Sequence, residues 1–261
     1  MDGFTEVDVV RVGSDGVRRE SDMVATESPF EMRLGSTPIA VLMRTPGRET
    51  ELATGFCLTE GILLSPAELT EVEQMDGDRF QLILAEGVTV DPEQFRRNTY
   101  TTSSCGVCGK ASIDAVRIAA RPLPVGPILR PADVPRLIAG LRRTQEIFDL
   151  TGGLHGAAIV TAGGGVEAAA EDVGRHNAVD KAVGMLARRR WPLGEVVLVV
   201  SGRISFEIAQ KAAVAGIPMV VGVSAASSLA VELAAEVGLT VIGFVRGDSF
   251  VVYSGADRVS D

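Results

Sequence analysis

The sequence predicts a layered α/β domain preceded by a β-rich subdomain. Three observations carry that expectation. From Val7 to about Arg44, apolar and polar residues alternate between turn signals. The stretches EVVLVVSG, IPMVVGVSA and LTVIGFVRG are continuously apolar, and the segments between them have helical spacing. Alternation of period two marks strands with one wet face, whereas apolar runs separated by helices mark strands covered on both faces.

Each element has its own local signature. VDVVRV, FEMRL and IAVLMR, separated by GSDG and GSTP, read as two β-hairpins. Thr45-Pro46-Gly47 breaks that pattern, and ETELATGFCLTEGILL takes up helical spacing with Leu52, Phe56 and Leu63 on one side. RFQLILA is a further strand and DPEQFRRN a short helical piece. KASIDAVRIA predicts a helix, and the proline-punctuated RPLPVGPILRP a connector. PADVPRLIAGLRRTQEIF then predicts one long helix, and AAIVT with VEAAAED a hairpin about AGGG. HNAVDKAVGMLARR, SFEIAQKAAVAG and SLAVELAAEVG are helices that alternate with the apolar strands. The change of period alone places a boundary near Asn98, giving a β-rich N-terminal subdomain over 1–98 and an α/β domain over 99–261.

A chain of 261 residues, 46 % of them hydrophobic, can bury a large core. Its net charge of −9 argues against nucleic acid and anionic membrane surfaces as partners, though a local basic pocket for a phosphorylated ligand is compatible with it. MDGFTEVDVV is short and acidic rather than a basic, apolar leader, and no apolar run reaches the roughly 18 residues of a membrane span, so a cytoplasmic location is expected. Three cysteines make no disulfide framework. Cys57, inside ATGFCLTEGILL, reads as core.

The other two cysteines, Cys105 and Cys108, lie in TTSSCGVCGK, a loop of hydroxyl side chains and glycines. Four readings compete for them. Structural zinc needs four ligands, and the chain offers only Cys57, His155 and His176 besides this pair, at spacings that match no finger, so no metal is expected. A thioredoxin-like redox pair would follow a strand directly, which the Thr/Ser-rich approach does not resemble. A purely structural pair remains open, and a nucleophilic cysteine that accepts and passes on a group leads, because a CxxC before a helix lowers the pKa of its first thiol.

Polar residues also gather elsewhere between apolar elements. TGGLHGA sets His155 just before a strand, as a base, a hydrogen-bond donor or a structural histidine. EDVGRHNAVDK packs Glu171, Asp172, Arg175, His176, Asn177, Asp180 and Lys181 together, with a solvated helix start as the plainer reading. Ser201, Gly202 and Arg203 follow an apolar strand at its C-terminal end, where open α/β sheets bind ligands beside the next helix N-terminus. Arg246 holds the equivalent place in GFVRGDSF. Neither GxGxxG nor GxxxxGK[ST] occurs.

In chain order, SSCGVCGK, TGGLHGA, EDVGRHNAVDK, SGRISFEIAQKAAVAGIP and SAASSLAVELA resemble the FdhD family of formate dehydrogenase accessory sulfurtransferases. ESPFEMRLGSTPIAVLMRTPG and ELATGFCLTEGIL extend the resemblance, which spans about Glu27 to Tyr253. It implies a protein that takes sulfur from a cysteine desulfurase, holds it as a persulfide on the CxxC loop, and delivers it to the molybdenum cofactor, bis-molybdopterin guanine dinucleotide, before that cofactor enters formate dehydrogenase. It implies a homodimer and a mixed-sheet, cytidine-deaminase-like domain. The zinc signature of deaminases is absent, since His155 is followed by Gly and Ala and the CxxC comes earlier in the chain. Cys105 and Cys108 take the catalytic place. Phe244, Val245, Arg246, Gly247, Asp248 and Ser249 match the family's cofactor-binding stretch, and Arg203, His155 and Arg175 join them as candidates. The Asp248 carboxylate departs from a phosphate site unless it faces the guanine edge. The alternative function is a chaperone that binds and protects the cofactor without carrying sulfur.

Overall fold

The computed structural model describes residues 3–91 and 122–260. Cys105 and Cys108, the boundary near Asn98, the KASIDAVRIA helix and nearly all of DPEQFRRN lie outside the described residues. A long antiparallel ribbon comes first, β1 (Phe4–Gly13) paired with β2 (Gly16–Ala25) in a two-stranded sheet. β3 (Ser28–Leu34) and β4 (Thr37–Arg44) form the second expected hairpin. With β5 (Leu69–Gln74) and β6 (Arg79–Leu84) they make a four-stranded sheet of order β4-β3-β6-β5. Phe30, Met32 and Leu34 point inward at period two, and with Phe80 and Leu82 they pack on Leu52, Ala53, Cys57 and Leu58 of α1 (Glu49–Thr59). The helix stops before Leu63, which is nonetheless buried in the same cluster.

The other sheet has six strands: β7 (His155–Val160), β8 (Val166–Asp172), β9 (Val197–Val200), β10 (Met219–Gly222), β11 (Thr240–Arg246) and β12 (Ser249–Ser254), in the order β12-β11-β10-β9-β7-β8. β9, β10 and β11 are parallel, β7 and β12 flank them antiparallel, and β8 pairs antiparallel with β7, so the sheet is mixed. α2 (Val134–Arg142) covers one face, where Val134, Leu137 and Leu141 meet Val197, Val199, Met219 and Val221. A short α3 (Glu146–Thr151) follows it. The opposite face is covered by α4 (Arg175–Ala187), α5 (Phe206–Val214) and α6 (Ser228–Val237), packed on Leu198, Val200, Val220 and Val241. Successive residues of β9 thus enter opposite cores, which is why its sequence is uniformly apolar.

The single helix expected over PADVPRLIAGLRRTQEIF is instead a 3-10 turn at Pro131–Asp133, then α2, then α3. The Thr144 hydroxyl donates to the Leu141 carbonyl at 2.8 Å, and Gln145 leaves helical dihedrals (φ −96°, ψ 63°) to bury its side chain against Gly156. α3 then starts afresh under the Glu171 carboxylate, which accepts from the backbone N–H groups of Ile147 (2.9 Å) and Phe148 (2.8 Å). A tertiary contact overrides helix propensity here.

The four-stranded and six-stranded sheets meet through α1 and α4. A Cβ on Gly55 would lie 1.8 Å from the Asp180 carbonyl oxygen, and one on Gly184 would lie 1.9 Å from that of Glu51. Only glycine permits this backbone-to-backbone crossing.

Candidate functional site

Because β9, β10 and β11 are parallel, their C-terminal ends share one edge of the sheet, and the N-termini of α5 and α6 follow from there. β7 runs the other way, so its first residue, His155, arrives at the same edge, opposite Asp172 at the end of β8. α4 starts three residues beyond Asp172, at Arg175. The edge therefore collects the positive ends of several helix dipoles.

The β7–β9 pair is tied at this edge: the Ser201 N–H donates to the Gly156 carbonyl at 3.0 Å, and the Gly156 N–H donates to the Ser201 hydroxyl at 2.9 Å. Gly202 follows with the His155 ring against it. A Cβ there would lie 3.3 Å from His155 Nδ1 and 3.7 Å from Arg175 Cδ, so the missing side chain is what lets the imidazole and the arginine approach this backbone. Burial, and then the charges of Arg175 and His176, hold the His155 pKa below the ordinary histidine value against the upward pull of Asp172, with Arg203 adding the least. His155 is a neutral imidazole at pH 7. Arg175 Nε is buried and finds no hydrogen-bond partner among the described residues, and neither does Ser205 Oγ at the start of α5. His176 Nε2 stands 2.8 Å from the Glu207 carboxylate in the first turn of α5. Arg203 is exposed. Positive side chains and unpartnered donors so arranged attract an anion.

Two strands along the same edge, Phe244 to Ser249 turn β11 into β12. Phe244 has a left-handed backbone (φ 52°) and a partly exposed ring, with the Arg246 guanidinium 5.7 Å from its centroid. Gly247 (φ 55°) and Asp248 form the exposed turn, and the Ser249 hydroxyl donates to the Arg246 carbonyl at 3.1 Å. The Val245 side chain is buried in the core, which leaves its backbone as the part available to a ligand.

Most of EDVGRHNAVDK is architectural. Glu171 caps α3. Asp172 and Lys181 hold Thr45, just after β4, and Asn177 holds Met43 near the end of that strand. Asp180 lies in a charge cluster between α1, α4 and α5, where the Lys211 ammonium donates to both Asp180 oxygens and to Thr59 Oγ1 at 2.9 Å, and to Glu60 Oε1 at 2.8 Å. Burial alone would lower the Lys211 pKa, but Asp180 and Glu60 together raise it above the usual lysine value, while burial pushes the Asp180 carboxyl up against the opposing pull of the Lys211 ammonium. Of this segment, Arg175 and His176 stand among the polar groups of the sheet edge, while Asp172, at the same edge, is bound to Thr45, Gly174 and Lys181. The partners that sequence reasoning missed are Thr45, Ser205 and Glu207 at the edge, and Thr59, Glu60 and Lys211 behind it. A lysine in the apolar run IAQKAAVAG was the available signal, since a buried lysine demands a carboxylate. Cys57 is fully buried, and burial, with Asp180 and Glu60 nearby, pushes its thiol up to about 12. It is an unreactive core residue. Among the described residues no group of three or more His, Cys, Asp and Glu side chains is arranged to hold a metal ion, and no helix is long and apolar enough to cross a membrane.

A layered mixed sheet whose parallel strands end at a basic edge, beside several helix N-termini, defines an α/β protein suited to an anionic ligand. Residues 25–260 match the FdhD/NarQ family, and the chain belongs to that family. It is 48 % identical to the sulfur carrier protein FdhD of Streptomyces coelicolor, over 97 % of this chain and 94 % of that protein. It is 45 % identical to the sulfur carrier protein FdhD of Mycobacterium tuberculosis, over 97 % of each. The fold is shared with a solved structure from Desulfotalea psychrophila described as a formate dehydrogenase accessory protein, at a TM-score of 0.80 and 22 % identity, covering 99 % of this chain and 100 % of that one.

Proposed function

We propose that this protein is a sulfur carrier for formate dehydrogenase, accepting sulfur as a persulfide on Cys105 and delivering it to bis-molybdopterin guanine dinucleotide, its bound substrate. The observation that carries the ligand side of this reading is the sheet edge. In a chain of net charge −9, Arg175, Arg203 and Arg246 gather with a neutral His155 where helix N-termini open, which suits the phosphates of a guanine dinucleotide. The kinship with sulfur carriers named FdhD supports the sulfur side.

In the loading step the Cys105 thiolate attacks the terminal sulfur of the desulfurase persulfide. A sulfur–sulfur bond forms on Cys105, the one in the donor breaks, and the donor cysteine leaves as thiolate, with no net oxidation. Cys105 is taken as the carrier because the sequence makes it the first cysteine of a CxxC ahead of a helix expected from KASIDAVRIA, the position whose thiol pKa such an arrangement lowers. Cys108 follows three residues later in the sequence. The cysteine desulfurase, formate dehydrogenase and a second copy of this chain are the expected partners.

Incubation with a cysteine desulfurase and cysteine, read by intact-protein mass spectrometry, tests the proposal. The wild type is expected to gain one sulfur atom, Cys105→Ala none, and Cys108→Ala a substantial part. Absence of the adduct from the wild type, with GDP binding retained, would favour the chaperone reading. A Cys105→Ala protein that still activates formate dehydrogenase in cells would overturn the carrier assignment.

A further inference from the structure

We propose that Thr45, in the N-terminal half of the chain, is a positioning residue for the sheet edge, fixing where Arg175 and His176 stand. The inference rests on the reading above that this edge holds a phosphate-bearing ligand.

Thr45 follows β4 and is 1 % exposed, and each of its polar groups is committed to the β8–α4 turn or to α4. Its N–H donates to Asp172 Oδ2 at 3.1 Å, its Oγ1 accepts from the Val173 N–H at 3.1 Å, and its carbonyl accepts from the Lys181 ammonium at 2.8 Å. Two residues earlier, the Met43 carbonyl accepts from the Asn177 amide at 2.8 Å. Asp172 completes the clamp, its Oδ1 accepting from the Gly174 N–H (2.8 Å) and the Asn177 amide (2.9 Å), its Oδ2 lying 2.7 Å from Lys181 Nζ. Val173 and Gly174, the two residues before Arg175, are thus both held at their backbone N–H groups.

The turn has little means of orienting itself. Its N-cap is Gly174, which makes no side-chain cap, and a Cβ there would lie 2.9 Å from Asn177 Nδ2. A glycine cap leaves the entry angle of the helix open, and an external clamp closes it. Arg175 is the first residue of α4, so its guanidinium inherits any shift of the turn. Small displacements of a charge-assisted donor cost affinity steeply.

The Thr45 hydroxyl separates positioning from gluing. Thr45→Val removes the acceptor for the Val173 N–H at nearly constant volume, whereas Thr45→Ser keeps it. GDP affinity by calorimetry is compared in the wild type, both variants and Arg175→Ala, well below each melting temperature. Positioning predicts that Thr45→Val weakens GDP binding at least about fivefold while Thr45→Ser stays within about twofold of the wild type. A purely structural role would lower the melting temperature and leave the affinity alone. Wild-type affinity in Thr45→Val, or equal weakening in Thr45→Ser, overturns the inference. If Arg175→Ala binds as the wild type does, the reading of the edge fails and the inference with it. If Arg175→Ala loses affinity and Thr45→Val does not, positioning alone fails. Should Thr45→Val not fold, Asn177→Ala, which cuts the bonds to Met43 and Asp172, is judged by the same fivefold criterion.

Discussion

At the scale of single residues, His155 and the arginines around it govern the chemistry of the sheet edge. Burial and neighbouring positive charge hold the folded-state pKa of His155 below 6.5, so on acidification the unfolded chain binds its proton first. The stability tied to the neutral ring is fully present above pH 6.5 and is lost as the pH falls through the folded value. Melting temperatures are therefore expected to decline below that pH, with a shallower decline in His155→Gln; identical slopes would remove His155 as the cause. For the arginines, Arg203→Ala/Arg246→Ala is expected to weaken GDP binding at least about tenfold, the scale of lost charge-assisted hydrogen bonds. Unchanged calorimetric affinity would show that these strand ends do not bind the phosphates.

At the scale of elements, α1 and α4 cross closely enough that side chains are excluded from the contact. The 1.8 Å clearance at Gly55 requires the backbones to separate before even a methyl group fits. Gly55→Ala is expected to destabilise the fold by about 3 kcal/mol, at the upper end for overpacking, with chemical denaturation as the measure. A loss below about 1 kcal/mol would mean the crossing relaxes freely. Parting these helices would also shift the start of α4, the element that carries Arg175. Helix identity was legible here from spacing, but the contact was not: Gly55 and Gly184 in the sequence look like two weak points in helices.

At the scale of the whole molecule, two charge clusters bind the N-terminal half to the α/β half. One is the Thr45 clamp with Asp172 and Lys181, and the other joins Lys211 and Asp180 to Thr59 and Glu60 at the end of α1. Asp180 and Lys211 are 1 % and 3 % exposed, so removing one partner strands the other charge in the interior. Lys211→Met is expected to cost about 3–5 kcal/mol in urea unfolding, and Lys211→Met/Asp180→Leu to recover much of it, because the second change removes the orphaned carboxylate. A double variant no more stable than the single one would show that the cluster acts through its further bonds to Thr59 and Glu60.

The sequence by itself determines the order and kind of most elements, because periods of 2 and 3.6 residues are local properties of a chain that must bury one face of each element. The FEMRL–IAVLMR hairpin, the parallel strands and the helices between them were readable in this way. β2, rich in charge, and β5, with only two leucine or valine residues, were not, since pairing with a neighbour rather than their own pattern makes them strands. The candidate site divides likewise. The resemblance to a sulfur carrier family rests on contiguous motifs, and the placing of Ser201–Arg203 and Arg246 at strand ends follows from topology rules. Only the tertiary structure decided which members of EDVGRHNAVDK face the edge. Asp172, Asn177 and Lys181 find their partners around Thr45, and Asp180 finds Lys211, across separations of 31 to 136 residues. Burial makes those partners obligatory, and no local pattern records them, because a buried charge is satisfied by whatever the fold brings beside it.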